Sequence, residues 1–206
     1  MLYAEKLKYV FYVIFHPADG FWDLKREKRG SLSAALTFVA LTVLTLGIEK
    51  LDTAFLFNEN RISEVNVMVD VITVLLVFTL WCVANWCTTS LMDGKGRMKD
   101  IFTAIGYALF PIILIRLPLV LVSFCITAEE GAFYYIFGFI AYAWTAVLIF
   151  MGTMMTHEYS LGKTVFTCII TVLGMGIILF IGLLFFNVIS EIIVFVSTIY
   201  KEVRFR

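Results

Sequence analysis

Two ionisable residues, Arg116 and Asp70, lie within long apolar stretches of the sequence. A charge inside a lipid bilayer is costly, so an intramembrane cation is expected to have an anionic partner or a water-filled cavity. Because the two residues should lie at comparable depths, we predict an Arg116–Asp70 pair that frames a polar pocket or controls a moving helix. In the alternative interpretation, Arg116 extends to the outer membrane surface and its role is structural.

No other set of side chains resembles a catalytic or metal site. His16 and His157 are the only histidines, and the four cysteines lie in apolar runs without Cys-x-x-Cys spacing (Cys82, Cys87, Cys125 and Cys168). His157 and Glu158 could form a proton relay, but no third group completes it, and a helix cap or a contact with lipid headgroups is favoured. We therefore predict no catalytic residue, no metal and no cofactor.

Basic residues cluster before the first apolar stretch and between the second and the third. With one tryptophan they form a predicted surface for lipid or partner contact: Trp22, Lys25, Arg26, Lys28, Arg29, Lys95, Arg97 and Lys99. Aromatic rings beside cations suit the headgroup layer of a membrane. The glycine-containing loop 93–100 lacks the pattern of a phosphate-binding P-loop. A nucleic-acid partner is not expected, because no basic patch is interleaved with exposed aromatic residues.

The elements that position these residues follow from composition. Hydrophobic residues make up 61% of the chain, charged residues only 16%, and the mean hydropathy is +0.94. Five stretches reach the roughly 20 apolar residues that cross a bilayer, namely 31–48, 67–90, 101–127, 132–155 and one that begins near 164. Each must be helical where it meets lipid. The predicted fold is an all-α bundle of about five transmembrane helices.

We divide the chain into a lead-in with an interfacial helix (1–30), a five-span membrane domain (31–187) and an amphipathic C-terminal helix (188–206). A sixth crossing within 164–206 is the alternative. Ten of the 16 Lys and Arg residues fall on the side of the lead-in, which predicts a cytoplasmic N-terminus. Gly106, Pro111 and Pro118 should kink the third span.

Two residue strings resemble motifs of the YIP (Ypt/Rab-interacting protein) family. Gly106-Tyr107-Ala108-Leu109-Phe110-Pro111 is similar to its glycine-tyrosine-x-leucine-x-proline signature. Pro17, Phe21 and Leu24 match the proline-x-x-x-phenylalanine-x-x-leucine pattern that precedes the first span in the bacterial branch. The resemblance implies a non-catalytic protein of the bacterial cytoplasmic membrane. The short lead-in departs from the eukaryotic members, so a GTPase partner is not carried over.

Two functions are favoured, because a third, that of a lipid-modifying enzyme, needs a catalytic cluster that the sequence does not offer. The first is an accessory or scaffold subunit for other integral membrane proteins, for example in a solute transporter complex such as a sugar transporter. The second is a small channel or carrier that uses the kinked third span with Arg116 and Asp70. Membrane lipids are expected partners in both, and a homo-oligomer is compatible with either.

Overall fold

The computed structural model describes residues 3–58 and 66–204, and within them all regular structure is helical. The helices are α1 (Tyr3–Phe15), α2 (Pro17–Arg26), α3 (Leu32–Asp52), α4 (Val67–Leu91), α5 (Met98–Ala108), α6 (Phe110–Ser123), α7 (Gly131–His157) and α8 (Leu161–Arg204), with a 3-10 turn at Ala128–Glu130. Five segments are long and apolar enough to cross a membrane: α3, α4, α5 with α6, α7, and α8. The predicted all-α fold with five spans is confirmed.

Local sequence fixes where several helices begin. The Ser31 hydroxyl accepts a hydrogen bond from Ala34 N at 3.2 Å at the start of α3, and the Asn66 side chain accepts from Met68 N at 3.1 Å at the start of α4. Before α5, the Asp100 carboxylate accepts from Arg97 N at 3.0 Å. These bonds satisfy backbone donors that have no partner within their helix.

The third span is broken at Leu109 into α5 and α6. Pro111 lies in the first turn of α6, where it cannot donate the backbone hydrogen bond that would continue α5. Pro118 lies inside α6, which continues past it to Ser123. Gly106 sits where α5 crosses α3, and a Cβ atom there would lie 2.6 Å from the Cβ of Ala35. The glycine therefore permits the close helix crossing.

The lead-in belongs to the core of the bundle. One face of α1 is buried together with α2, in a cluster that also includes residues of α3, α5 and α7: Val10, Val13, Ile14, Phe21, Leu24, Ala34, Ala35, Phe38, Ala104, Tyr107, Ala108 and Leu148. Gly20 allows α2 to lie against α1, since a Cβ atom there would be 2.7 Å from the Cα of Val13. The other face of α1 is exposed at Phe11 and Phe15. The described part of the lead-in, residues 3–30, is thus more than a surface layer.

The last helix, α8, contains 44 residues and runs without interruption past the predicted end of the fifth span at Phe186 or Asn187. The amphipathic segment 188–206 is therefore, as far as Arg204, a continuation of this helix. No turn interrupts it between Leu161 and Arg204, so the described chain does not fold back for a sixth crossing. The first part of α8 packs mainly on α4. From Leu179 onward every described side chain is exposed.

Candidate functional site

Two ion pairs join membrane-spanning helices where α3 ends. Arg116 of α6 pairs with Glu49 of α3, and Asp70 of α4 pairs with Lys50 of α3 at 2.5 Å. The predicted Arg116–Asp70 pair is therefore not formed. Consecutive residues of an α-helix point about 100° apart, so Glu49 reaches α6 while Lys50 reaches α4. Each charge has a nearer partner on α3.

Sequence reasoning missed Glu49 and Lys50 because it ended the first span at Ile48. Both residues lie beyond that boundary, although α3 continues to Asp52. The signal was present, since Glu49 and Lys50 directly follow an apolar stretch and could extend it by one helical turn. A charge in the last turn of a span can still pair with one from a neighbouring span.

The Arg116 guanidinium is enclosed by α3 and α7. It lies 4.5 Å from the centre of the Tyr142 ring, and Nη2 donates a long hydrogen bond of 3.5 Å to the Gly138 carbonyl. A Cβ atom on Gly138 would lie 3.2 Å from the guanidinium carbon. The side chains of Arg116 and Glu49 are only 14% and 16% exposed. An ion pair, a cation–π contact and a glycine thus accommodate this cation together.

A cavity of about 280 Å³ lies beside the two ion pairs. Its polar lining includes Glu49, Lys50 and Asp70, with Tyr134 and Tyr142 on the wall formed by α7. The described lining does not include Arg116. The cavity is a polar recess near one end of the bundle, and its described lining contains no nucleophile paired with a base.

Glu158 organises the other end of the bundle, where α3, α5 and α8 begin and α4 and α7 end; we call this the basic end. Its carboxylate accepts hydrogen bonds from Lys95 at 2.7 Å, Arg26 at 2.8 Å and Lys25 at 3.1 Å. Hydrogen bonds from Lys95, Lys25 and Arg26 lower the pKa of Glu158 to about 2. The residue adopts a left-handed conformation with φ of 57° and ends α7. One side chain thus ties α2 and the α4–α5 loop to the end of α7.

His157 does not share a site with its neighbour Glu158. Its buried ring contacts Asn85 through Nε2 at 3.2 Å, and Nδ1 accepts from Gly96 N at 3.4 Å. Since Nδ1 accepts, Nε2 carries the proton and donates to the Asn85 carbonyl oxygen. Asn85 Nδ2 in turn donates to Thr171 at 3.3 Å. This chain of side chains connects α7, α4 and α8, and the α4–α5 loop covers the ring.

The predicted lipid- or partner-contact residues all lie at the basic end but have different surroundings. Arg26 stacks over Trp22 at 4.7 Å in addition to binding Glu158. Arg29 pairs with Glu27 at 2.5 Å. A second cavity, of about 350 Å³, is lined by Lys28, Arg97 and Lys99. Arg26 and Arg29 are thus engaged in ion pairs, Lys28, Arg97 and Lys99 face an open cavity, and Lys25 does both.

The residues that carried the family resemblance are packing residues. Tyr107 is fully buried, and its hydroxyl donates to the Lys6 carbonyl of α1 at 2.9 Å. Phe21 is buried against α7, where a Cβ atom on Gly152 would lie 3.2 Å from its ring. Leu24 is buried, Leu109 is half-buried, and Pro17 begins α2. These motif positions hold the lead-in inside the bundle.

Comparison with known proteins agrees with this architecture. The family model described as the Yip1 domain matches residues 11–196, a range that begins in α1 and ends in α8. No curated protein matches the chain, and no solved structure does.

Proposed function

Because the chain belongs to the Yip1 family and its described part contains five helical segments that can cross a membrane, we propose that it is a non-enzymatic accessory or scaffold protein that binds other integral membrane proteins. The observation that carries this proposal is the second half of α8. It is mostly apolar, it is part of a continuous helix, and none of its described side chains from Leu179 to Arg204 is buried.

The length of α8 argues for a protein partner. Its 44 residues span about 66 Å, which is roughly twice the thickness of the hydrocarbon core of a bilayer. A tilt of 40°, the upper end of the usual range, would still leave about 27 Å of the helix outside the hydrocarbon. That portion contains exposed Ile192, Ile193 and Phe195. A patch of this kind on a protein surface is typical of an interaction site.

The chemistry of this surface indicates the kind of helix that would cover it. Polar side chains recur three and four residues apart on one face of α8, where they border a shallow groove: Asn187, Ser190, Glu191 and Thr198. Spacings of three and four residues place side chains on one face, and polar groups of this type join helices within membranes. We expect the partner to present an apolar helix with a hydrogen-bond donor or a cation opposite Glu191.

The setting we propose is a bacterial cytoplasmic membrane, with the N-terminus and the basic end on the cytoplasmic side. The excess of Lys and Arg at the basic end supports this orientation. The resemblance of Pro17, Phe21 and Leu24 to the entry pattern of the bacterial branch supports this choice of membrane. From the family resemblance we expect the partner to be a membrane complex such as a solute transporter.

Site-specific photo-crosslinking in the source cell tests the proposal. A photoreactive phenylalanine analogue at Phe195 of α8 should give a discrete adduct with another membrane protein, which mass spectrometry would identify. The matched control places the analogue at Leu76 of α4, which is similarly exposed within a membrane-spanning helix and should contact mainly lipid. Adducts only with a second copy of the chain, or no adduct at Phe195, would contradict an accessory role.

A small channel or carrier receives less support. Arg116 and Asp70, the residues on which that interpretation depended, are each engaged in an ion pair with α3. The cavity beside them lies near one end of the bundle and is not lined by Arg116 in the described chain.

A further inference from the structure

Almost all of the charged residues that line the cavity of about 350 Å³ at the basic end are cations. They come from α1, from α2 and the loop after it, and from the start of α5: Lys6, Lys25, Lys28, Arg97 and Lys99, with Asp100 as the only acidic residue in the described lining. Its volume falls within the range of small-ligand sites, about 300 to 1,000 Å³.

Most of these cations have no anionic partner in the described chain. Lys25 is neutralised by Glu158 at 3.1 Å, whereas Lys6, Lys28, Arg97 and Lys99 form no ion pair among residues 3–58 and 66–204. Asp100 is turned toward the backbone, because its carboxylate caps α5 by accepting from Arg97 N at 3.0 Å. Four like charges therefore border one cavity with little internal compensation.

Two further features favour an anion in this position. The cavity is bordered by Ser31 and Leu32 at the start of α3, and by Arg97 and Lys99 at the start of α5. The N-terminus of a helix carries a partial positive charge and free N–H groups, so both helices add to the positive potential. Because two membrane-spanning segments begin here, the cavity lies at the depth of lipid headgroups.

We propose that this cavity binds a phosphomonoester dianion, most simply the headgroup of a membrane lipid that ends in a phosphomonoester. Four uncompensated cations match a ligand with two negative charges better than a singly charged phosphodiester, which would leave more of them unpaired. Basic pockets between membrane helices bind anionic headgroups in this way. Exposed Trp22 of α2 lies at the same end of the bundle, where lipid would approach.

The test uses the full chain purified in neutral detergent and short-chain lipids that remain monomeric. We expect dihexanoyl phosphatidic acid to bind saturably and to raise the melting temperature, and dihexanoyl phosphatidylglycerol to bind at least about tenfold more weakly. Inorganic phosphate and glycerol 3-phosphate are tested in the same assay as soluble ligands. If they bind as tightly as the lipid, the phosphomonoester site stands and its ligand is a soluble phosphate; if they bind more weakly, the ligand is a lipid.

A double variant, Lys28→Asn with Lys99→Gln, removes two of the unpaired cations. Asn tolerates the left-handed backbone of Lys28, whose φ is 54°. Each lost hydrogen bond to a charged group costs roughly tenfold in affinity, so binding should weaken by about tenfold or more. The matched control is Lys8→Gln with Lys163→Gln, which makes the same change in net charge at residues outside the cavity lining.

Equal binding by the two double variants would overturn the proposal, because the effect would then be one of overall charge. Equal affinity for phosphatidic acid and phosphatidylglycerol would overturn it as well. Both exchanged lysines are exposed, so the ligand-free melting temperature should not change. If the Lys28→Asn, Lys99→Gln variant is nevertheless destabilised, Arg97→Gln alone should show the same loss of preference for phosphatidic acid, and an unchanged preference would overturn the site.

Discussion

Gly138 of α7 leaves the space that the guanidinium of Arg116 occupies, since a Cβ atom at this glycine would lie 3.2 Å from the guanidinium carbon. The guanidinium is also held by Glu49 and by the ring of Tyr142, so it has little freedom to move away. The absence of a side chain on α7 is thus a condition for the ion pair between α6 and α3.

We therefore expect Gly138→Ala to lower the stability of the protein by about 1 to 3 kcal/mol, the usual cost of adding a methylene to a packed site. Thermal unfolding in detergent measures the change. Gly182→Ala on α8 is the matched control, because a Cβ atom there has no neighbour within 4 Å. Alanine is a better helix former than glycine, so Gly182→Ala should leave the stability unchanged or raise it slightly. Equal effects of the two substitutions would contradict the steric argument.

A double-mutant cycle should show that Arg116 depends on Glu49 more than on Asp70. Arg116→Met alone leaves Glu49 as an uncompensated, largely buried charge and should cost roughly 3 kcal/mol. Adding Glu49→Gln should recover part of that loss, whereas adding Asp70→Asn should not. The measurement is the unfolding free energy of the single and double variants in detergent. A larger coupling energy between Arg116 and Asp70 would contradict the pairing seen in the structure.

The span count and the break near Pro111 could be predicted because apolar length and proline act locally. The partner of Arg116 could not, since it depends on the rotation of α3 about its axis. In a water-soluble helix a single apolar stripe fixes that rotation, but a helix that faces lipid on one side and protein on the other is apolar all round. Only the assembled bundle shows that Glu49 pairs with a residue of α6 and Lys50 with a residue of α4.

That the helix of the fifth span continues beyond Asn187 could not be predicted for a related reason. The polar residues after Asn187 resembled the start of a separate surface helix, yet the chain from Leu183 to Arg204 contains neither glycine nor proline. Nothing in the local sequence ends α8, so it continues. In contrast, the motif residues Pro17, Phe21 and Tyr107 were chosen by resemblance alone. Their role in burying the lead-in depends on contacts between distant segments.

The ion cluster around Glu158 should make stability depend on pH. The pKa of this carboxyl is lowered from 4.5 to about 2 by hydrogen bonds from Lys95, Lys25 and Arg26. Its contribution to stability is therefore fully present above the unfolded-state pKa, about 4.3, and is lost as the pH falls toward 2. We expect the melting temperature of the native protein to exceed that of Glu158→Gln at pH 6, and the two to converge near pH 2.

Glu158→Gly separates the charge from the backbone geometry. Both substitutions remove the carboxylate, but glycine adopts the left-handed conformation at φ of 57° without steric cost. The glycine variant should therefore melt at a higher temperature than Glu158→Gln at every pH. If the difference in melting temperature between the native protein and Glu158→Gln stays constant from pH 6 to pH 2, the three cations contribute no pH-dependent stability.

The loop between α4 and α5 should become accessible to protease when Gly96 acquires a side chain. A Cβ atom there would lie 2.8 Å from Cε1 of His157 and 2.7 Å from Cγ2 of Thr156, and both neighbours are buried. Gly96→Ala should lift the loop from the ring and expose the bonds after Lys95 and Arg97 to trypsin. Mass spectrometry of the fragments measures their rate of cleavage, with Gly162→Ala as control, since a Cβ atom on that glycine has no neighbour within 4 Å.

The effect of Gly96→Ala should be confined to this loop. Because the His157–Asn85 contact should persist beneath the displaced loop, the rest of the bundle should resist trypsin as it does in the native protein. Cleavage no faster than in the control would mean that the loop does not depend on its fit against His157.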